Sequence, residues 1–315
     1  MASNIAVITD SSCSLPTSVL KKYQINQVPL EISIDGGSLR DPCNESKTLA
    51  MFNSGQLSKK HSVSTSPPTP EDFENAITRA LNSGKKMIVV QTVNRTQGET
   101  YNNANVAASS VRRKLGDKHK DVAIRVMDCR TVFAGQGLMV AETIRRMLKG
   151  QDPAGVRREM DNLSENIHTF ILPREPLLAL ERSQKRNEKA VGWAQVFIAN
   201  TLGIHPILCN VNDSSYLAAK SFGFEKAAKQ LFNHAQKQIE KGLLCPLLSV
   251  NYAGSLHELK SLPGYNELKA TADAHKIQII PSVMSLAGGI YTSVGSISLA
   301  FACEPHEWMG KAKAA

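Results

Sequence analysis

Long apolar runs and low-complexity segments are missing from this sequence. Of its 315 residues, 42% are hydrophobic and 21% are charged, which is typical of globular proteins and excludes a disordered chain. An uncharged run such as Ile279–Ala287 is far shorter than the roughly 20 apolar residues of a membrane span. The first residues lack the basic and long apolar segments of a signal peptide, so we expect a soluble, cytoplasmic protein without membrane insertion.

Paired cysteines and the usual cofactor motifs are missing as well. The six cysteines stand singly, and His257-Glu258 and His306-Glu307 each lack the second histidine of a helical zinc motif. We therefore predict reduced thiols and no metal site. The sequence contains neither a phosphate-binding loop nor the glycine-rich dinucleotide fingerprint, and it has no nucleophile elbow of hydrolases. We expect no cofactor.

Positive charge exceeds negative charge, but it is not concentrated. The formal net charge is +9. The densest basic stretch, Arg182–Lys189, also contains Glu188, and no aromatic residue interrupts it. This pattern is typical of a solvated face, whereas nucleic-acid sites are more clustered, so we predict no nucleic-acid partner.

The chain length and the order of elements predict an α/β protein of two domains. In the first half, short apolar strands alternate with helices, which favours a parallel sheet with helices on both faces. The second half begins after the break at Gly150–Pro153, and we place the boundary near residue 158, giving domains 1–158 and 159–315. The predicted strands are Ile5–Thr9, Gln27–Ile34, Met87–Thr92, Val122–Met127, Thr169–Leu172, Pro206–Val211, Leu244–Tyr252, Ile277–Pro281 and Ser296–Ala302. The predicted helices include Leu15–Tyr23, Pro70–Ser83, Glu99–Leu115, Val132–Lys149, Lys189–Thr201, Gly223–Lys241 and Ser255–His275.

Polar, turn-forming clusters follow several of the predicted strands. Thr9–Ser12, Thr92–Arg95 and Asp128–Thr131 come directly after strands, and the loop Ser64–Pro70 leads into a helix N-terminus. Ligands of parallel α/β sheets bind beyond the carboxyl ends of the strands, and a helix N-terminus favours an anion. Each cluster alone is explained by capping of the next helix, but together they predict a pocket for a small anion or a polar headgroup.

These same segments resemble the signatures of the DegV family. The resemblance covers nearly the whole chain and is carried, in order, by Ile8–Ser12, Val28–Leu30, Ser64–Phe73, Gly98–Ala104, Met127–Thr131 with Gly135–Gly137, and Gly203–Leu208. It implies a two-domain α/β fold that binds a long-chain fatty acid. The acyl chain would lie in an apolar tunnel, with the carboxylate held by polar groups near the domain interface. Some relatives present the fatty acid to a separate fatty acid kinase, so the resemblance implies a carrier.

The resemblance also assigns candidate residues. Thr65 and Ser66 match the family's Thr-Ser before proline and are the expected headgroup contacts. Asp10, Ser11, Gly98 and Asp128 match positions that shape the pocket.

Other positions depart from the family pattern. Asn94-Arg95 stands where a serine pair is usual, and Tyr291 stands where the family has the histidine of a His-x-Gly-Pro-Gly loop. Further departures are Glu99, the stretch Lys220–Gly223 and an insertion at Gln184–Glu188. Because a guanidinium binds carboxylates through two hydrogen bonds, we hypothesise that Arg95 holds the anion with Thr65 and Ser66, helped by Asn94 and Tyr291. The alternative for Arg95 is an ion pair with Glu99.

Two other functions remain open at this point. One is a hydrolase or phosphotransferase acting on a small anionic substrate at Asp10-Ser11-Ser12, although no histidine is recognisable as its base. The other is an interaction protein whose basic surface binds a partner or a membrane.

Overall fold

The computed structural model describes residues 4–116, 121–151, 153–185, 203–306 and 308. Within these residues the chain forms three sheets with helices between and around them. The helix predicted over residues 189–201 lies outside the described residues.

The described part of the first half contains seven strands and five α-helices. The strands are β1 (Ile5–Asp10), β2 (Asn26–Val28), β3 (Glu31–Ile34), β4 (Gly37–Arg40), β5 (Val63–Ser66), β6 (Met87–Thr92) and β7 (Ala123–Asp128). The helices are α1 (Thr17–Lys22), α2 (Glu45–Asn53), α3 (Pro70–Asn82), α4 (Thr100–Leu115) and α5 (Phe133–Leu148).

The described part of the second half adds six helices and six strands. The helices are α6 (Pro153–Ser164), α7 (Pro176–Lys185), α8 (Phe224–Lys241), α9 (Leu256–Ser261), α10 (Tyr265–Ala274) and α11 (Leu286–Thr292). The strands are β8 (Ile167–Leu172), β9 (Ile204–Val211), β10 (Ser214–Phe222), β11 (Leu247–Tyr252), β12 (Gln278–Val283) and β13 (Ile297–Ala302).

The predicted parallel sheet is confirmed in the order β2-β1-β6-β7. Successive buried side chains along each strand point to opposite faces of the sheet. Ile8 and Val90 pack with α3 and α4, whereas Val7 and Val89 pack with α5. Helices therefore cover both faces, as the near-continuous apolar strands predict.

A six-stranded mixed sheet forms the second half, in the order β10-β9-β8-β13-β11-β12. Only β11 and β12 pair in parallel, and the other neighbours are antiparallel. The turn from β9 to β10 contains two residues, Asn212 and Asp213, both with positive φ, which is the backbone that two-residue hairpin turns require. The sequence analysis did not predict β10.

Two predicted elements are each divided in the structure. The strand predicted over Gln27–Ile34 is wrong, because β2 joins the parallel sheet while β3 joins a small antiparallel sheet in the order β4-β3-β5. Proline, which has no N–H to donate, lies in the break at Pro29. The helix predicted over Ser255–His275 is interrupted at Pro263-Gly264, where Gly264 has a φ of +90°.

Helix α5 lies between the parallel sheet and the six-stranded sheet. Its residues Leu138 and Met139 share one buried apolar cluster with Val7 of β1, Leu247 of β11 and Ala300 of β13. The two halves are thus joined by common core packing. The predicted boundary near residue 158 falls inside α6 and stays a prediction.

Candidate ligand-binding site

A cavity opens where the first half of the chain meets the second. Its volume is about 680 Å³ when the space open to solvent at its mouth is counted. The first half contributes Val132 and Phe133 at the start of α5, together with Gln97. The second half contributes residues from β8 and the loop after it, from β9 and β10, and from α7 and α11: Ile171, Pro173, Ala179, Ser183, Leu208, Cys209, Asn210, Ser215, Tyr291 and Thr292. The cavity is therefore an apolar space with a few polar groups on its wall.

The structure brings together two of the predicted site residues, Thr65 and Tyr291. The hydroxyl of Tyr291 lies 3.1 Å from Oγ1 of Thr65 and accepts a hydrogen bond from the Thr65 backbone N–H. Thr65 is on β5 and Tyr291 is near the end of α11, more than 200 positions apart in the chain. Tyr291 lines the cavity and Thr65 does not, so the tyrosine connects this hydroxyl pair to the cavity wall.

A buried cation lies beside Tyr291. Arg182 of α7 is only 5% exposed and donates hydrogen bonds to the carbonyl oxygens of Ile290, Leu57 and Ser58. Burial lowers the pKa of its guanidinium, while Glu175, Glu181 and Tyr291 oppose that effect. Among the described residues, no carboxylate forms a direct ion pair with it. The expectation of a solvated basic face is thus wrong for Arg182, whose charge is held inside the protein.

Asp10 has a structural role at the end of β1. Its Oδ1 accepts hydrogen bonds from the backbone N–H and the hydroxyl of Ser12. Its Oδ2 accepts from the backbone of Val93 at 2.8 Å and from Nε2 of Gln136 at 2.9 Å. Burial raises the pKa of this carboxyl, and these hydrogen bonds oppose the rise. The Asp10 carboxylate therefore holds β1, the end of β6 and α5 together.

Ser11 is committed to a neighbouring contact. Its hydroxyl donates to Oδ2 of Asp41 at 2.9 Å and accepts from the backbone N–H of Leu30 at 3.0 Å. Both Asp10 and Ser11 therefore fix loops beside the site, and neither residue lines the cavity. The Ser11 hydroxyl thus directs its proton to the Asp41 carboxylate and its lone pair to the Leu30 backbone N–H.

Arg95 occupies a different environment from the one expected. Its NH2 donates to Oδ2 of Asp213 at 2.9 Å, and its Nε lies 3.5 Å from Oδ2 of Asp128. The alternative pair with Glu99 is wrong, because Glu99 accepts instead from Asn102. Arg95 thus links the end of β6 and β7 to the β9–β10 turn, half-exposed and outside the residues that line the cavity.

Comparison with known proteins places this geometry in a family. The family model described as "Uncharacterised protein, DegV family" matches residues 4–304. The chain belongs to the DegV family. A DegV domain-containing protein of Xanthomonas axonopodis pv. citri is 28% identical over 308 residues, covering 96% of this chain and 98% of the relative.

Solved structures confirm the DegV fold. A stearic acid-binding protein from Eubacterium ventriosum superposes with a TM-score of 0.81 at 20% identity, over 95% of this chain and 98% of that one. A DegV lipid-binding protein from Thermotoga maritima gives a TM-score of 0.76 at 19% identity, over 96% and 99% of the two chains. At these identities the likeness shows the two-domain α/β fold.

The remaining predicted residues of this DegV chain lie at the edge of the site. The Asn94 side chain is buried and accepts from the backbone and hydroxyl of Thr96 through Oδ1, at 2.8 Å each. Ser66 ends β5 on an exposed position. Gly98, with a φ of +126°, precedes α4, and Asp128 accepts from the backbones of Arg95 and Arg130. None of the four lines the cavity.

Two buried polar residues near the candidate site were missed by sequence reasoning. Gln136 stands within the quoted Gly135–Gly137 signature, and its amide contacts Thr9, Asp10 and Ser12. A polar residue between two glycines inside an apolar helix was the signal that could have found it. Arg182 had no such signal, because a basic residue in a basic stretch normally faces water.

No helix in the described part of this DegV chain combines the length and the apolar character needed to cross a bilayer.

Proposed function

We propose that this protein binds a long-chain fatty acid in the cavity between its two halves. One observation carries the proposal: the cavity is lined by apolar side chains and by Tyr291, whose hydroxyl lies 3.1 Å from that of Thr65 and whose neighbour Ile290 accepts a hydrogen bond from the buried Arg182. An apolar body with one polar end is the shape complement of a fatty acid. The stearic acid-binding relative from Eubacterium ventriosum supports this choice of ligand.

The acyl chain would occupy the apolar part of the cavity. Val132, Phe133, Ile171 and Leu208 line this part and come from both halves of the molecule. Each buried methylene contributes about 0.8 kcal/mol, so a long chain supplies most of the affinity.

The carboxylate would bind at the hydroxyl pair. The hydroxyls of Thr65 and Tyr291 are 3.1 Å apart, so one donates to the other and the second keeps its proton for a bound anion. Arg182 stabilises negative charge there, because its guanidinium is desolvated and its hydrogen bonds go to neutral carbonyl groups. A headgroup contact by Ser66, Asn94 or Arg95 stays a prediction. The ion pairs of Arg95 with Asp128 and Asp213 favour a role in linking the two halves.

A carrier fits this site better than an enzyme. Asp10 and Ser11, the residues of the enzymatic alternative, hold loops through hydrogen bonds. Binding without catalysis, transfer to a separate fatty acid kinase and a cytoplasmic location are parts of the proposal that need their own tests.

The test combines lipid extraction with two variants of the cavity. Lipids from the purified full chain, released by denaturation, are identified by mass spectrometry, and stearate affinity is then measured on delipidated protein. Tyr291→Phe removes one headgroup hydrogen bond and should weaken binding about tenfold. Ser183→Phe fills the cavity and should weaken it further. Tyr23→Phe at the end of α1 and Ser109→Phe on the exposed face of α4 are matched controls outside the cavity.

A stoichiometric fatty acid together with the loss in both cavity variants supports the proposal. Stearate binding that is equal in Ser183→Phe and Ser109→Phe would show that the acyl chain lies elsewhere. Loss in Ser183→Phe without loss in Tyr291→Phe would keep the cavity and reject the headgroup contact.

A further inference from the structure

Three histidines and one cysteine meet on the other side of the six-stranded sheet. His168 lies on β8, His234 lies on α8, and Cys303 and His306 follow β13. Side chains alternate along β8, so His168 faces away from Ile171, which lines the cavity. This cluster is therefore separate from the site of the proposed function, and the inference below does not depend on it.

The donor atoms of the cluster lie close together. One donor atom from each of His168, Cys303 and His306 lies within 4.8 Å of the other two, and Sγ of Cys303 is 3.2 Å from Nδ1 of His306. With bonds of about 2.0–2.1 Å to nitrogen and about 2.3 Å to sulfur, the ligands of a tetrahedral zinc ion are roughly 3.5 Å apart. If the three donor atoms move about 1 Å closer to one another, they reach that spacing.

Two imidazoles in the cluster are buried with nitrogens that make no hydrogen bond. His168 is 4% exposed and His234 is 3% exposed. Neither ring nitrogen of His168 has a hydrogen bond of normal geometry, although the Cys303 backbone is near enough to affect its pKa, and Nδ1 of His234 has none either. Burying polar atoms without partners is unfavourable, so the two unpartnered nitrogens of His168 indicate a ligand at that ring.

His234 is placed to orient His306. Their Nε2 atoms are 2.9 Å apart, so His306 can donate from Nε2 to His234 while its Nδ1 faces Cys303. Trp308 stacks on the His234 ring with centroids 4.1 Å apart, and Phe170 contacts its edge. Histidine ligands of metals are commonly held through their second nitrogen in this way.

We propose that His168, Cys303 and His306 bind a divalent transition-metal ion of the zinc class, with His234 as a positioning residue. Two imidazoles and one thiolate select zinc, cobalt or a similar ion over magnesium and calcium, which prefer oxygen ligands. When the metal–sulfur bond forms, the Cys303 proton is released to solvent. Three protein ligands leave one coordination position for water or an external ligand.

No spacing motif could show this site, because its ligands come from two distant parts of the sequence. His168 precedes Cys303 by 135 positions, as 303 − 168 = 135. The sequence analysis predicted no metal site because short Cys and His motifs are absent. The proposed site disagrees with that prediction.

Cobalt titration of the chelator-treated full chain tests the proposal. We expect one Co²⁺ per chain, with a thiolate-to-cobalt band in the near ultraviolet and the intense visible bands of four-coordinate cobalt, all lost on addition of Zn²⁺. Cys303→Ala should abolish the thiolate band. His168→Asn and His306→Ala should each weaken binding at least tenfold, and His234→Phe, which keeps the stacking ring, about 10- to 100-fold.

The matched controls are Cys129→Ala and His275→Ala, a buried cysteine and an exposed histidine outside the cluster. Both should bind Co²⁺ like the unchanged chain. Absence of uptake, uptake without a thiolate band, or equal uptake in Cys303→Ala would overturn the proposal. His306 is only half-buried, so His306→Ala keeps the test valid if a more buried variant fails to fold.

Discussion

At the scale of single residues, two arginines near the ligand site differ in what surrounds their charge. Arg182 is buried and bonded to neutral carbonyls, whereas Arg95 is half-exposed between Asp128 and Asp213. A buried guanidinium acts on a bound carboxylate through a low dielectric, while water and two aspartates screen an exposed one. The residue that sequence reasoning passed over is therefore the stronger candidate for anion stabilisation.

Substitution of each arginine separates these roles. Arg182→Met should lower stearate affinity by roughly 10- to 100-fold, because hydrogen bonds and charge effects of this kind are worth about 1.5–3 kcal/mol. Arg95→Ala should change affinity less than about threefold and the free energy of unfolding by less than about 1 kcal/mol. Isothermal titration of delipidated protein measures the first quantity, and urea denaturation measures the second.

Arg182→Lys is the control that keeps the charge, and circular dichroism at the titration temperature checks folding. Arg182→Met also leaves three carbonyl oxygens without a donor, so its stability will be lower as well. If Arg95→Ala lowers stearate affinity more than Arg182→Met does, the carboxylate binds at the exposed Arg95 and not near Arg182.

At the scale of elements, the start of α5 explains a family signature. A Cβ built on Gly135 would lie 2.1 Å from Oγ1 of Thr169 and 2.3 Å from Oγ1 of Thr131, and one on Gly137 would lie 2.6 Å from the carbonyl oxygen of Ser14. The two glycines thus let α5 approach strands and loops of both halves, and Gln136 between them reaches Asp10. The two glycines of the signature therefore allow the close packing of α5, and this packing places Phe133 in the cavity wall.

Gly135→Ala should therefore destabilise the protein by about 1–3 kcal/mol, because the added methyl group overlaps two threonine side chains that hydrogen-bond to each other at 2.6 Å. Gly37→Ala is the control, since its added methyl group would meet only the carbonyl oxygen of Ile34 at 3.4 Å. Urea denaturation of the two variants gives the comparison. Equal stabilities would mean that α5 can shift away from β8 without loss.

A second prediction for an element concerns the start of α3. Thr69 and Asp72 form a reciprocal cap in the structure, and Arg40 also binds Asp72. Burial raises the pKa of the Asp72 carboxyl, but hydrogen bonds from Arg40 and Thr69 prevail and hold it below the ordinary 3.8. The cap therefore adds stability above the unfolded pKa, and this contribution is lost as the pH falls through the folded one.

We expect Asp72→Asn to cost about 1 kcal/mol near neutral pH and progressively less below about pH 4. Urea denaturation of both proteins at about pH 6 and about pH 3 measures the difference. A cost that grows as the pH falls would contradict the assigned direction of the pKa.

Local signals in the sequence predicted most elements but not their long-range partners. The caps and apolar strands of the first half are local, so α3 and β6 appear within a residue or two of their predicted bounds. The division between β2 and β3 depends on which sheet each strand joins, and the burial of Arg182 depends on carbonyls more than 100 positions away. The comparison with the family assigned Thr65 and Tyr291 to one site, but it did not predict the hydrogen bond between them, and no pattern of spacing connects the two residues.

At the scale of the whole molecule, the two halves share both a core and a cavity. Helix α5 packs on β1 and β6 of one sheet and on β8, β11 and β13 of the other. The cavity has walls from both halves, so a bound ligand would contact both. Separation of the halves would expose apolar surface of α5, and we therefore expect them to unfold together.

Hydrogen exchange followed by mass spectrometry tests this cooperativity, because peptides from β6 and β13 report on the two halves separately. In the delipidated protein, the most protected amides of both strands should exchange through openings of equal free energy. Stearate at about 100 times its dissociation constant should raise both values by about 2.7 kcal/mol, since binding to the folded state alone stabilises all of it. Ser183→Phe, which fills the cavity, should show no such rise in either strand. A rise confined to β13 would mean that the ligand binds the second half alone, and the shared core would then not couple the two sheets.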